Sequence, residues 1–154
     1  MLEEQVESFL VQKGFLVDKY KHWEEEKNYI KMFDLKENLL LLKDIPYINI
    51  YGTTSKTEFK IIIKNLEYEA RIECKWQAEQ GSVDEKFPYM YLNALRSPEE
   101  NQIFIVDGGA YRPEALTWLK KVCDLRVGQI DYKNIKVMSF SEFMIFIEKK
   151  LKNK

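Results

Sequence analysis

The segment from residue 69 to residue 77 alternates strictly between polar and apolar side chains. Successive side chains of a β-strand point to opposite faces, so this pattern predicts a strand with one polar and one apolar face. Glu73 and Lys75 are then neighbours on the polar face. The apolar face is expected to enter the core and consists of Ala70, Ile72, Cys74 and Trp76.

A run rich in β-branched residues, 58–64, precedes this strand, and the polar turn 65–67 separates the two. Two strand-like runs joined by a short turn predict a β-hairpin. With the turn centred near Leu66, Glu58 faces Glu73 or Cys74, about 5 Å away across an antiparallel ladder. Two carboxylates placed this close repel each other unless a cation lies between them.

The periodicity of the remaining chain predicts further helices and strands. The helices are expected at residues 2–13, 34–43, 82–95, 113–123 and 139–150, and the strands at 15–17, 47–51, 103–106 and 135–138. This order predicts an α/β fold, with a mixed central β-sheet flanked by helices on both faces. A length of 154 residues fits a single domain over 1–154.

Several boundaries follow from local chemistry. Gly14 ends the first helix, and Pro46 ends the helix predicted before it. A capping box of Ser82 and Glu85 begins the third helix, whose Pro88 predicts a kink or a late start. Ser139 or Ser141 caps the last helix, and the turn 107–109 is expected to need positive φ at its glycines.

Composition excludes several kinds of site. His22 is the only histidine, and Cys74 and Cys123 lie far apart, which leaves no zinc site of the usual composition and no disulfide framework. Catalysis by Ser-His-Asp or Cys-His is excluded unless His22 serves alone. The longest apolar run, 39–42, is too short to cross a membrane, so no membrane partner and a reduced, cytoplasmic setting are expected. The net charge of -1 shows no basic excess, which argues mildly against nonspecific coating of DNA.

The pairing of Glu73 with Lys75 has a chemical and a structural interpretation. Phosphodiester hydrolysis uses a divalent metal to polarise the phosphate and to lower the pKa of the attacking water. Carboxylates are hard ligands for magnesium, and a neighbouring ammonium stabilises the developing negative charge. Alternatively, the pair only stabilises an exposed strand, by about 0.2–1 kcal/mol.

The ordered set of motifs resembles the PD-(D/E)XK nuclease superfamily, whose pattern is an acid on one hairpin strand and an acid-x-lysine triplet on the next. Glu58 stands at the first position, and the triplet is Glu73-Cys74-Lys75. Gln77 matches a recurrent variant two residues after the lysine. The family usually has aspartate after proline where this chain has Thr57-Glu58. The resemblance also includes the first helix and segments 81–86 and 103–109, and leaves residues 18–46 unmatched.

The resemblance implies a small restriction-endonuclease-like nuclease of prokaryotic or phage type, using Mg²⁺ or Mn²⁺. The implied metal ligands are Glu58, Glu73, the backbone carbonyl of Cys74 and, from the first helix, Glu3. Lys75 is expected to position the nucleophile and Gln77 to support the geometry. The implied substrate is DNA, with RNA left open. A homodimer is expected because cutting both strands at once needs two sites. The alternative is a noncatalytic module of the same fold that binds nucleic acid or protein.

Overall fold

The computed structural model describes residues 1–19, 38–79, 81 and 83–152. Within these ranges, six strands form one sheet in the order β1 to β6. Their bounds are β1 (Leu16–Lys19), β2 (Leu39–Ile48), β3 (Thr54–Ile63), β4 (Tyr68–Trp76), β5 (Asn101–Asp107) and β6 (Asn134–Met138). The pairs β2–β3 and β3–β4 are antiparallel and the other three pairs are parallel, which confirms the predicted mixed sheet.

Helices cover both faces of this sheet, as predicted. They are α1 (Leu2–Gln12), α2 (Phe87–Arg96), α3 (Pro113–Asp124) and α4 (Phe140–Lys152). The buried side chains of α1 and α4 share one core with strands β2 to β6. Those of α2 and α3 form a second core against β5 and β6. None of the helices in the described ranges combines the length and the apolar composition of a membrane span.

The hairpin β3–β4 has the register that a turn near Leu66 predicts. Phe59 faces Ile72, and Ile63 faces Tyr68 at the closed end. A 3-10 turn over Lys64–Leu66 joins the strands, and Glu67 then reverses the chain with φ of 50°. The predicted turn therefore paired the correct residues of the two strands.

The helix predicted over 34–43 is wrong where the structure describes it. Residues 34–37 lie outside the described residues, whereas 39–43 belong to β2. The leucines of this run alternate between two cores, Leu39 and Leu41 in one and Leu40 and Leu42 in the other. A strand buried on both faces has a continuous apolar run, which periodicity cannot distinguish from a short helix.

Pro46 lies within β2 and does not end an element. The partner β1 pairs with Leu40–Lys43, so among the described residues Pro46 has a strand neighbour, β3, on one side only. A proline is tolerated at such an edge position because its missing N–H leaves no ladder hydrogen bond unmade on the open side. The strand predicted at 47–51 is therefore the end of a longer one, followed by a turn.

Two further predictions at element ends have definite outcomes. Trp76, predicted to be in the core, is 42% exposed, because it is the last residue of β4 and lies beyond the buried Cys74.

Ser82 lies outside the described residues. Val83–Lys86 form a 3-10 turn, and α2 begins at Phe87 with proline in its first turn. The late start follows from the missing proline N–H, which a helix tolerates only there.

The turn after β5 approaches the end of β4 very closely. Gly108 and Gly109 have φ of +99° and +77°, as predicted for this turn. The Gln77 amide donates to the Asp107 carbonyl at 3.1 Å, and the Gln77 carbonyl accepts from the Ala110 amide at 2.9 Å. A Cβ on Gly108 would lie 2.3 Å from that carbonyl oxygen, whereas a Cβ on Gly109 would meet nothing within 4 Å.

We expect Gly108→Ala to destabilise the protein much more than Gly109→Ala. The left-handed conformation alone costs an alanine about 1–2 kcal/mol, and only Gly108→Ala adds a collision with the backbone. Urea unfolding of the two variants measures the difference, and Gly109→Ala is the matched control for backbone strain. Equal losses of unfolding free energy would show that the close approach of Gly108 to the Gln77 backbone does not add to the cost of an alanine.

Candidate active site

Three of the residues predicted from the sequence line one cavity of about 640 Å³. Glu58 comes from β3, and Glu73 and Lys75 come from β4. The opposite wall consists of the beginning of α2 and the turn that precedes it, and the β2–β3 turn closes one end. Its described lining is Tyr47, Tyr51, Ser55, Lys56, Glu58, Arg71, Glu73, Lys75, Glu85, Lys86, Tyr89, Met90 and Asn93.

Glu58 lies where the regular pairing of β3 is interrupted. Thr57 and Phe59 pair with Ile45 and Lys43 of β2, and Asp44, between those two, has a φ of 59°. The Glu58 carboxylate accepts a hydrogen bond from the backbone amide of Cys74 at 2.8 Å. This contact fixes the carboxylate beside the residue that separates Glu73 from Lys75.

Burial of the Glu58 carboxyl and, as the second cause, the negative charge of Glu73 together raise its pKa from 4.5 to about 7. Lys75 and the Cys74 amide act in the opposite direction, since both favour the charged form. Glu3 adds a smaller rise. The two carboxylates are therefore close enough to repel each other, and a positive charge between them would relieve the repulsion.

Glu73 is held between two cationic side chains. Its Oε1 accepts from Arg71 at 2.9 Å, and its Oε2 lies 3.8 Å from the Lys75 ammonium. Glu73 itself is only 8% exposed, whereas Lys75 is partly exposed and reaches the cavity. The pair predicted from alternation is thus formed, but it lies on a buried polar face and not on a solvated one.

Arg71 is the residue of this cluster that the sequence interpretation missed. It is 2% exposed, and its guanidinium lies 4.6 Å from the centroid of the Tyr47 ring. Besides Glu73, it donates to Thr57 Oγ1 at 2.7 Å and to Gln102 Oε1 at 3.1 Å. The available signal was its position two residues before Glu73, on the same face of the alternating strand.

The other predicted site residues lie outside this cavity lining, as far as the structure describes it. Gln77 is buried, accepts from the Asp84 amide at 3.2 Å and donates to the Ala110 carbonyl at 3.2 Å, so it supports the neighbouring loops. The Cys74 thiol is in the core as predicted, and burial raises its pKa. Glu3 lies in the first turn of α1, within electrostatic range of Glu58.

The sequence also gave no reason to place aromatic residues at this cavity. Tyr47, Tyr51 and Tyr89 all line it. The rings of Tyr51 and Tyr89 stack, with centroids 5.7 Å apart and an angle of 26° between their planes. Burial raises the pKa of Tyr47. These residues come from β2, the β2–β3 turn and α2, and no spacing in the sequence connects them.

The described residues contain no group of three or more His, Cys, Asp or Glu close enough together to hold a metal ion. The donor set nevertheless fits a magnesium or manganese ion, because magnesium usually takes only one or two carboxylates and completes its shell with water and phosphate oxygens. Glu58 and Glu73 supply two carboxylates. Burial and, after it, the charge of Glu73 raise the pKa of Glu58, and a bound cation would favour its charged form.

Comparison with known proteins identifies one family. A family model described as the PD-(D/E)XK nuclease superfamily domain matches residues 1–151. The match agrees with the α/β, restriction-endonuclease-like arrangement of a six-stranded mixed sheet between helices. Searches of curated proteins and of solved structures gave no match.

The raised pKa of Glu58 predicts a dependence of stability on pH in metal-free buffer. The folded chain binds a proton at Glu58 up to about pH 7, whereas the unfolded chain loses it near pH 4.5. The folded state therefore holds more protons in this window, and the unfolding free energy should fall as the pH rises through it. Glu58→Gln stays neutral and should show a smaller fall.

Urea unfolding at pH 5 and pH 8, with chelator present, measures this difference. Glu69, whose pKa burial and Glu99 raise to about 7, contributes a fall of the same sign that both proteins retain. Glu85→Gln, which removes an exposed charge from the same cavity, is the control and should behave as the wild type. An identical fall in Glu58→Gln and wild type would contradict the prediction.

Proposed function

The chain belongs to the PD-(D/E)XK nuclease superfamily, and we propose that it hydrolyses phosphodiester bonds in DNA with the aid of Mg²⁺ or Mn²⁺. One observation carries the proposal. The Glu58 carboxylate accepts a hydrogen bond from the amide of Cys74 at 2.8 Å. Cys74 separates Glu73 from Lys75 along β4, and Glu58, Glu73 and Lys75 line one cavity. The two acids and the lysine of the family pattern therefore line a cavity that a substrate can enter.

Glu58 and Glu73 are the proposed metal ligands, together with the backbone carbonyl of Cys74. Glu3 is a further candidate from α1. When bound, the cation acts as a Lewis acid, which polarises the phosphate and lowers the pKa of a water ligand. Arg71 positions Glu73 by engaging one carboxylate oxygen at 2.9 Å. That contact fixes the carboxylate without occupying its second oxygen.

Lys75 has two proposed roles: it orients the nucleophile, and it stabilises the transition state. Its ammonium lies 3.8 Å from Glu73 Oε2 and donates hydrogen bonds only, so it can orient a water oxygen towards phosphorus. During hydrolysis that oxygen adds to phosphorus and the water releases a proton, one P–O ester bond breaks, and the departing oxygen takes up a proton. A fixed positive charge beside the phosphate stabilises the extra negative charge of this step.

Gln77 acts at a distance from the reaction in this proposal. Its side chain joins the turn after β5 to the segment that precedes α2. The segment that precedes α2 contributes Glu85 and Lys86 to the cavity lining. Gln77 is therefore a positioning residue, which keeps the wall aligned with the end of β4.

If the substrate is a duplex, a homodimer is part of the proposal, because cleavage of both strands at once needs two sites. Light scattering after size exclusion measures the oligomeric state. Cleavage assays with Mg²⁺ or Mn²⁺ on plasmid, linear duplex, single-stranded DNA and RNA define the substrate. The absence of cleavage on every substrate would favour a noncatalytic binding module on the same fold.

We expect Lys75→Ala to reduce cleavage by about 100- to 1,000-fold, the usual loss when one charge-stabilising donor is removed. Its partly exposed side chain leaves no core cavity, so the thermal midpoint should not change. Lys136→Ala, an exposed lysine on β6, is the matched control and should cleave normally. A fully active Lys75→Ala would remove this lysine from the mechanism.

Glu73 gives a less direct test, because its loss leaves the buried Arg71 without its ionic partner. Removing one member of a buried ion pair destabilises a protein by about 3–5 kcal/mol. Glu73→Gln keeps the size and a hydrogen-bond acceptor, and it is the better variant. Its activity is informative only alongside a thermal melt that shows a folded protein.

Excess chelator should abolish cleavage, and added Mg²⁺ or Mn²⁺ should restore it. Glu58→Gln keeps the size of the side chain and removes its charge, so we expect the half-activating metal concentration to rise by at least about tenfold. Activity measured against metal concentration separates this effect from lost folding. Full activity of the wild type in chelator would contradict the metal-dependent mechanism.

A further inference from the structure

Tyr51 presents an aromatic ring to solvent at the mouth of the candidate active site. It is 75% exposed, although aromatic side chains usually gain by burying a large area. One face of the ring is stacked on Tyr89. Within the described part of the chain, Tyr89 is the ring that contacts Tyr51, and the high exposure of Tyr51 leaves much of its ring to solvent.

The turn that carries Tyr51 is firmly held. The buried side chain of Asn49 bonds four atoms of the turn and of the strand that follows it. Its partners are Thr53 Oγ1 at 2.9 Å, Ser55 Oγ at 2.8 Å, the Tyr51 amide at 2.9 Å and the Thr53 amide at 3.2 Å. A ring held on such a turn loses little conformational entropy when it binds, which favours affinity.

The same turn is also attached to the far wall of the cavity. The Ile50 amide donates to Asn93 Oδ1 of α2 at 2.9 Å. Tyr89, one turn earlier on α2, supplies the ring stacked on Tyr51. Two independent contacts therefore fix the position of Tyr51 relative to the cavity that contains Glu58 and Glu73.

Cationic side chains line this cavity together with the aromatic ring. Lys56 follows the turn on β3, Lys86 immediately precedes α2, and both are exposed. Exposed lysines attract phosphate groups without reading sequence. An exposed aromatic ring and phosphate-attracting charges thus occur in one space of about 640 Å³, beside the proposed reaction centre.

We propose that Tyr51 is a stacking platform for an unpaired base, and that the substrate is a single-stranded nucleic acid or an unpaired end. In a duplex the neighbouring pairs cover the faces of each base, so an aromatic ring stacks well only on an unpaired one. Such stacking accepts every base, since each has a π-face. The inference rests on the proposed function, because it names the substrate class of the same site.

Binding in chelator, where cleavage is prevented, tests the platform by fluorescence anisotropy. The probes are a labelled oligodeoxythymidine, an oligouridine of the same length and a matched duplex. Tyr51→Ala should weaken binding to the single-stranded DNA by about 5- to 100-fold, with little change on the duplex. Tyr51→Phe keeps the ring and should keep the wild-type Kd.

Tyr132→Ala is the matched control, because it removes another exposed tyrosine from the segment between α3 and β6. It should bind as the wild type does. The same Tyr51 dependence with oligouridine would support the platform and show that the sugar is not read, whereas dependence with DNA alone would assign the substrate to DNA. Unchanged binding in Tyr51→Ala, an equal loss on duplex, or no binding of single strands by the wild type would overturn the inference.

The outcomes separate this inference from the proposed function. Cleavage that requires Lys75 but binding that ignores Tyr51 would retain the nuclease and reject the platform. Tyr51-dependent binding without cleavage of any nucleic acid would retain the platform and reject the nuclease. Thermal melts of Tyr51→Ala and Tyr51→Phe establish that both variants are folded, so a loss of binding in Tyr51→Ala alone is assigned to the missing ring.

Discussion

The guanidinium of Arg71 lies in the middle of the sheet at 2% exposure, where an unpaired charge would cost several kcal/mol. Its partners come from four strands. Glu73 lies on β4 itself, Thr57 on β3 and Gln102 on β5, and the ring of Tyr47 comes from β2. The charge is fully partnered only when these strands lie in their observed register, so the register and the site are determined together.

This arrangement explains how two carboxylates are kept close to each other. Arg71 and Lys75 each engage one oxygen of Glu73, and the Cys74 amide binds Glu58. The pKa of Glu58 is nevertheless raised to about 7, by burial and then by the charge of Glu73. The fold therefore maintains a local electrostatic cost, which is typical of functional sites and unexpected in a merely structural hairpin.

The sequence predicted those features that depend on local periodicity. Alternation over 69–77 identified β4, and the short turn set the β3–β4 register, so Glu58, Glu73 and Lys75 were placed from residue patterns alone. The leucines at 39–42 were misread because burial on both faces removes the period of two that marks a strand. The burial of Arg71 was not predictable, since the residues that cover the polar face come from elements distant in the sequence. Tyr51 gave no signal for the same reason, because its role depends on Asn49 and Asn93 in three dimensions.

The order of the strands also affects how the site assembles as the chain folds. β2, β3 and β4 are neighbours both in sequence and in the sheet, and short turns join them. Closing such short loops costs little entropy, whereas the parallel pairing of β4 with β5 must wait for a crossover that includes α2. Local contacts favour rapid formation. The hairpin that carries both carboxylates therefore belongs to the kinetically favoured part of the sheet, and the wall that completes the cavity depends on the slower, longer-range closure.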